Sequence, residues 1–137
     1  KKKISRNKII DMEIKKTGRL FSFCCMTAAI IKNKSLKEII FFEKIGANIG
    51  LLFQIADDLI DFKGTSKVAG KKTGKDRKKG KATLISLLGY KNAIKYSNKI
   101  KLKIIKDLKK YGSNSKNINE TLNYILTRKK WNKIINF

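Results

Sequence analysis

The amino-acid sequence predicts an all-α fold, on three observations. Its 137 residues contain no proline, the residue that most strongly breaks a helix. Runs in which β-branched residues alternate with polar ones are scarce. Apolar residues instead recur at intervals of three and four over long stretches, which places them on one face of an α-helix. We therefore expect helices packed around an apolar core.

Four helices, with one long loop between the second and third, account for this pattern. Gly18 interrupts the first helix near its middle. Ser35, followed three residues later by Glu38, has the spacing of a capping box and predicts the start of the second helix. The loop is predicted over residues 63–81, where four glycines and nine Lys or Arg residues leave only two apolar ones. The predicted helices cover residues 6–31, 36–62, 83–111 and 118–130, with turns at 33–35 and 112–117.

The net charge of +24, from 34 Lys and Arg against 10 Asp and Glu, has two interpretations. It suits a polyanionic partner such as nucleic acid, a membrane surface or a phosphorylated substrate. It also matches the codon usage of an AT-rich genome, which enriches Lys, Ile and Asn, and we assign most of the lysines to that cause. A nucleic-acid interface fits poorly, because the basic loop has no aromatic residue on which bases could stack.

Cys24 and Cys25 are adjacent inside the apolar run 20–31. Neighbouring cysteines rarely bridge each other, and no zinc spacing is present. Both are therefore predicted to be small core residues in a reducing cytoplasm. The run is well short of the ~20 apolar residues that cross a bilayer, so we predict no membrane span.

Three carboxylates fall within little more than one helical turn in the segment FQIADDLID. Asp57 and Asp58 stand four and three residues before Asp61, so all three are predicted to share one face of the second helix. Gly46 and Gly50 continue the same stripe toward the N-terminus, where another backbone could approach closely.

Burying these three anions side by side costs several kcal/mol each unless cations compensate. Shared divalent ions would compensate, and Mg2+ suits a few carboxylates together with substrate phosphates. The alternative is a solvated acidic face paired with Lys63 or Lys67. The basic, glycine-rich loop that follows favours the metal, because lysines there could neutralise phosphates held by that metal.

Two other ligand-binding loops are excluded by spacing. A nucleotide-binding P-loop does not fit, since five residues separate Gly74 from Gly80 and Ala82 follows Lys81. A calcium-binding EF-hand needs alternating ligands around a central glycine, which the acidic segment lacks.

Three ordered motifs resemble those of the trans-polyprenyl diphosphate synthases. The string GLLFQIADDLID, followed by GK at 70–71 and GKAT at 80–83, is similar to the second aspartate-rich region of that family. KKTG at 15–18 is similar to its Lys-Thr motif, which sits at a kink in its own helix. ILTRKK at 125–130 resembles the basic C-terminus of short-chain bacterial members. The resemblance covers nearly the whole chain and implies the C-terminal half of the isoprenoid-synthase fold, with long antiparallel helices around a central cavity.

The resemblance implies a magnesium-dependent transfer of an allylic group. Asp57, Asp58 and Asp61 would bind Mg2+, or Mn2+ in its place, and the metal would bridge to the diphosphate of dimethylallyl or geranyl diphosphate. Loss of that diphosphate gives an allylic cation, which the double bond of isopentenyl diphosphate attacks in a head-to-tail, 1'–4 condensation. The implied product is farnesyl diphosphate, with geranylgeranyl diphosphate as the second choice.

Further residues take roles from the same resemblance. Lys16, Lys71 and Lys81 would contact the departing diphosphate. The Lys16 carbonyl, the Thr17 hydroxyl and the Gln54 amide would face the cationic carbon chain and stabilise its charge.

Two residues would support this site, Phe53 by packing near it and Asp76 by holding the network of metal and lysines. The family also implies a homodimer. The cysteines predict a cytoplasmic location, and the basic loop argues against a nucleic-acid partner.

The chain begins at Lys1 rather than at Met, and it contains no counterpart of the first aspartate-rich region of the family. We therefore expect residues 1–137 to be the C-terminal part of a single synthase domain, inactive without the N-terminal half. Two other classes stay open: a non-catalytic partner subunit of such a synthase, and a basic nucleic-acid-binding protein. The intact DDLID, Lys71 and Lys81 argue against the first, because regulatory subunits tend to lose the acidic motif.

Overall fold

The computed structural model describes residues 5–68 and 83–128, with only the backbone described for residues 64–68. Every regular element in these ranges is helical, so the all-α prediction is confirmed. The helices are α1 (Arg6–Glu13), α2 (Arg19–Ile31), α3 (Leu36–Val68), α4 (Leu84–Leu88), α5 (Tyr90–Leu108) and α6 (Lys116–Thr127). A π-helical segment (Ile14–Gly18) joins α1 to α2, and a 3-10 helical segment (Lys109–Ser115) joins α5 to α6.

A Schellman turn ends α2. The Lys34 N–H donates to the Ala29 carbonyl at 3.0 Å, and the Asn33 N–H donates to the Ile30 carbonyl at 2.8 Å. Asn33 takes the positive φ of 49° that this turn requires, and asparagine tolerates that conformation better than most residues. The break predicted at residues 33–35 is confirmed.

The central helix is α3, which contacts the π segment and each of the other five helices. Ser35 caps its start, because the Ser35 Oγ accepts a hydrogen bond from the Glu38 N–H at 3.3 Å and donates to the Glu38 carboxylate at 3.1 Å. The helix continues to Val68, so the prediction that a loop begins at residue 63 is wrong. Each added helical residue gains a backbone hydrogen bond, and the single glycine at position 64 costs only about 1 kcal/mol.

α2 packs against α3 at a distance that only glycine permits. A Cβ added at Gly46 would lie 2.7 Å from the carbonyl carbon of Phe21 and 2.7 Å from the Cα of Ser22. A Cβ added at Gly50 would lie 2.5 Å from the Cα of Gly18, in the π segment. The close backbone approach predicted along this stripe is confirmed, and it brings the Lys-Thr motif against α3.

The core lies between α3 and the helices around it. Fully buried side chains come from α3, α4, α5 and α6: Ile45, Leu52, Ile55, Leu84, Ile104, Leu108 and Leu122. Cys24 is exposed and Cys25 is half-buried, so the prediction of a core position is wrong for Cys24. The buried side of α2 carries Ser22 and Ala29. Cys24 comes two residues after Ser22, so the helix turns its side chain by about 200°, away from that buried side.

Residues 83–111 do not form one helix. Gly89, with φ of 79°, separates α4 from α5. The buried faces of α4 and α5 are therefore set independently, and Leu87, near the end of α4, is 44% exposed.

The segment Leu36–Lys63 of α3 is long and apolar enough to cross a membrane, with a mean hydropathy of 1.5 over its most apolar window. Half of that window is buried inside the protein. The lack of a membrane span stays a prediction.

Candidate active site

The Lys-Thr motif KKTG lies in the π segment. The Arg19 N–H donates to the carbonyl of Ile14, five residues earlier, as a π turn requires. Single π turns inside α-helices re-aim side chains and are frequent at functional sites. The irregularity expected at this motif is therefore present, as a π turn between α1 and α2.

A line of hydrogen bonds joins this motif to the acidic segment of α3. The Thr17 hydroxyl donates to Gln54 Oε1 at 3.0 Å, and Gln54 Nε2 donates to Asp58 Oδ1 at 3.2 Å. The orientation of the Gln54 amide follows from its partners, because an ionised Asp58 only accepts hydrogen bonds and must face the NH2 group. Gln54 itself is 6% exposed. Three of the predicted site residues are thus brought together in one line.

Asp57, next in the chain to Asp58, forms an ion pair with a residue at the end of α6. Its Oδ1 accepts a hydrogen bond from Arg128 Nη2 at 3.1 Å, at the end of α6. The guanidinium lies 4.1 Å from the centre of the Phe53 ring, so Phe53 packs against the Asp57–Arg128 pair, and its supporting role stays a prediction. Sequence reasoning assigned no role to Arg128. The pair joins residues 71 positions apart, and no local pattern identifies such a partner.

The two adjacent carboxylates therefore have different partners, and Asp61, one turn later, is exposed. Among residues 5–68 and 83–128, no three Asp, Glu, Cys or His side chains come close enough to form a metal site by themselves. The assignment of Asp57, Asp58 and Asp61 as metal ligands stays a prediction. It requires that the substrate supply the remaining ligands, as Mg2+ sites built from carboxylates and phosphates do.

Asp58 lies in an environment that disfavours its charge. Burial is the main cause that raises the pKa of Asp58. The hydrogen bond from Gln54 and the charge of Lys16 oppose this effect, while the charges of Asp57 and Asp61 add to it. A cation bound next to Asp58 would oppose this rise in pKa, because a nearby positive charge favours the charged form of a carboxylate.

Glu13 is a further carboxylate near the site that sequence reasoning missed. It is 3% exposed, and its Oε2 is buried without a hydrogen-bond partner among the described residues. Burial raises the pKa of Glu13, and the charge of Asp58 adds to this effect while Lys16 opposes it. Glu13 stands four residues before Thr17, and this spacing alone indicates that the two side chains lie on the same side of a helix.

We expect Glu13→Gln to stabilise the protein at pH 8 by about 1 kcal/mol, because the buried carboxylate is left without a full set of hydrogen bonds. The raised pKa means that the folded state holds the proton more tightly than the unfolded state. The free energy of unfolding therefore falls as pH rises through the interval between the unfolded and folded pKa values. At pH 4 both states are largely protonated, and the variant and wild type should differ little.

Urea unfolding at pH 4 and pH 8 measures this difference. The matched control is Glu120→Gln, since the Glu120 side chain is 64% exposed and should show no comparable gain. A variant less stable than wild type at pH 8 would mean that the ionised Glu13 is favourably paired.

Lys16 is exposed and, as its effect on Asp58 and Glu13 indicates, lies near both. Lys71, Lys81 and Asp76 fall outside the described residues. Their assigned roles, and that of Lys16 in contacting diphosphate, stay predictions.

Comparison with known proteins gives consistent matches. The profile of the polyprenyl synthetase family matches residues 1–125. The chain is 33% identical over 129 residues to a farnesyl diphosphate synthase of Micrococcus luteus, covering 94% of this chain and 44% of that protein. It is 32% identical over 113 residues to a dimethylallyltranstransferase of Fischerella ambigua, covering 82% of this chain and 33% of that protein. A geranylgeranyl diphosphate synthase of Cyanophora paradoxa is 38% identical over 84 residues, which are 61% of this chain and 28% of that protein.

This chain spans less than half the length of each of these relatives. The family profile nevertheless covers most of its residues. The helical structure agrees with the isoprenoid-synthase fold that the sequence motifs imply. On the match of the profile and the relatives, the chain belongs to the polyprenyl synthetase family.

Proposed function

We propose that this chain is part of a prenyltransferase that condenses an allylic diphosphate with isopentenyl diphosphate, head to tail, and that the product is farnesyl diphosphate. The observation that carries the proposal is the line from Thr17 through Gln54 to Asp58, which joins the Lys-Thr motif to the acidic motif. The similarity to the Micrococcus luteus farnesyl diphosphate synthase, over 94% of this chain, supports the product.

Asp57, Asp58 and Asp61 would hold Mg2+, or Mn2+ in its place. The residues fit such an ion, because carboxylate oxygens are hard ligands and Asp57, whose side chain is 24% exposed, can reach a substrate from the protein surface. When bound, the metal would stabilise the negative charge that develops on the leaving diphosphate.

The proposed reaction breaks the allylic C–O bond, whose electron pair leaves with inorganic diphosphate. The double bond of isopentenyl diphosphate then forms the new C–C bond, and a proton is lost. Gln54 Oε1 accepts a hydrogen bond from the Thr17 hydroxyl, so the lone pairs of the Thr17 oxygen stay available to face positive charge nearby. We propose that these lone pairs and the Lys16 carbonyl stabilise the allylic cation. Dipoles that the fold already orients do so without the cost of reorganisation.

Lys16 would contact the departing diphosphate, together with Lys71 and Lys81. An ammonium group neutralises phosphate charge as a mobile point charge, which suits residues of a basic segment. Asp76 would support these lysines and the metal.

A cytoplasmic homodimer completes the proposal. α2 leaves large apolar side chains exposed, with Leu20 at 67%, Phe23 at 59% and Ile31 at 72%. Clustered apolar exposure of this kind is typical of a surface that another protein surface covers. The 137 residues contain a single DDxxD sequence. We therefore propose that they act as the C-terminal part of a synthase domain whose first acidic motif lies outside them, and that they are inactive alone.

The experiment is a turnover assay on the full-length protein that the gene encodes, since the 137 residues alone are expected to be inactive. With isopentenyl and dimethylallyl diphosphates and Mg2+, we expect release of inorganic diphosphate and a fifteen-carbon prenyl diphosphate as the end product. A metal chelator should abolish the reaction. A folded protein that releases no diphosphate under these conditions would contradict the proposal, and would favour the non-catalytic partner subunit.

A further inference from the structure

Arg128 is a cation buried against the acidic segment of α3. Its side chain is 7% exposed, and its Nη2 contacts both Asp57 Oδ1 at 3.1 Å and the Phe53 carbonyl at 3.4 Å. The central carbon of the guanidinium lies over the Phe53 ring, 4.1 Å from its centre. These contacts fix the charge in place, unlike that of an exposed lysine.

Phe53, on whose ring Arg128 packs, also contacts other residues near the site. The Phe53 ring contacts Phe21 of α2 with ring centres 5.6 Å apart, and Phe53 precedes Gln54 in the chain. Arginine suits such a position, because its planar group stacks on an aromatic ring and stays charged at any working pH. Arg128 therefore places one permanent positive charge at hydrogen-bond distance from a predicted metal ligand.

We propose that Arg128 is the resident counter-cation of Asp57, a positioning residue that sets the affinity of the site for metal and for diphosphate in opposite directions. Its charge neutralises Asp57 before metal binds, so it competes with the metal for that carboxylate. The same charge adds to the positive potential that attracts diphosphate once metal is present. The inference rests on the proposed function, because both ligands are those of the proposed reaction.

The opposite changes expected in the Kd for Mg2+ and in the Kd for diphosphate distinguish this role from a purely structural one. Removal of one positive charge about 6 Å from a divalent ion changes its binding free energy by about 1.4 kcal/mol in a water-like dielectric, which is about tenfold. In Arg128→Gln we therefore expect the Kd for Mg2+ alone to fall by about tenfold and the Kd for inorganic diphosphate, at saturating Mg2+, to rise by about tenfold. A residue that only held α6 in place would weaken both when removed.

The test is isothermal titration calorimetry on the protein as its gene encodes it, first with Mg2+ and then with inorganic diphosphate at saturating Mg2+. Lys116→Gln is the matched control, since it removes one positive charge from the surface of α6, where the side chain is 75% exposed. It should change both constants by less than about twofold, because exposed charges beyond a Debye length are screened. Circular dichroism checks that each variant is folded.

Arg128→Lys keeps the charge and loses the planar group, so both constants should stay within about threefold of wild type. Shifts of both constants in the same direction, or no shift, in folded Arg128→Gln would overturn the inference. If Arg128→Gln does not fold, a folded Arg128→Lys that has lost diphosphate binding overturns it equally. Failure of the wild type to bind diphosphate with Mg2+ would instead contradict the proposed function.

Discussion

Asp58→Asn is expected to remove prenyl transfer while leaving the fold in place. A metal ion at a developing charge contributes several kcal/mol to the stability of a transition state, so we expect kcat to fall by about 1,000-fold. The fold should persist because an asparagine oxygen can still accept the hydrogen bond from Gln54 Nε2. Burial already raises the pKa of Asp58, so loss of its charge should not lower the free energy of unfolding.

Turnover and urea unfolding, measured on the same preparation, test both halves of this prediction. Asp11→Asn is the matched control, because the Asp11 side chain is 61% exposed and its partner is Lys15 on the same helix. It should leave kcat unchanged. Activity of Asp58→Asn within tenfold of wild type would exclude a metal-binding role for this carboxylate.

Gly46→Val is expected to cost more than about 3 kcal/mol of the free energy of unfolding, at the upper end of what overpacking causes. The new Cβ would overlap the backbone of Phe21 and Ser22, which cannot move away as a flexible side chain can. α2 would have to separate from α3. The same motion would draw Thr17 away from Gln54, so activity should fall with stability.

Lys44→Val provides the control for Gly46→Val. Lys44 lies two residues earlier on α3 and is exposed, so it introduces the same β-branched side chain without a clash and should cost less than about 1 kcal/mol. Urea unfolding of the two variants gives the comparison directly. Equal stabilities would mean that α2 and α3 are not packed backbone to backbone at this position.

The sequence predicted those features that depend on neighbours along the chain. The helical period gave the all-α fold, Ser35 and Glu38 marked the start of α3, and the stripe through Gly46 and Gly50 indicated the close contact with α2. Each of these predictions depends on residues three or four positions apart, which lie on the same face of a helix.

The features that sequence reasoning missed depend on contacts distant in the chain or on a balance of small terms. Arg128 reaches Asp57 across 71 positions. Glu13 is a charged residue, and its spacing from Thr17 indicates its side of the chain but not that it is buried. The extension of α3 to Val68 and the break at Gly89 show that a glycine can be accommodated within one helix and separate two others. Its flanking residues decide which, through free energies of about 1 kcal/mol.

The central claim is that the acidic segment of α3 holds the metal that binds diphosphate. A crystal structure of the protein as its gene encodes it, grown with Mn2+ and inorganic diphosphate, tests this claim most directly, because the anomalous scattering of Mn2+ locates the metal. We predict Mn2+ bound by carboxylate oxygens of Asp57, Asp58 or Asp61 and by the diphosphate together. Diphosphate and metal bound elsewhere, with all three carboxylates free of metal, would contradict the account.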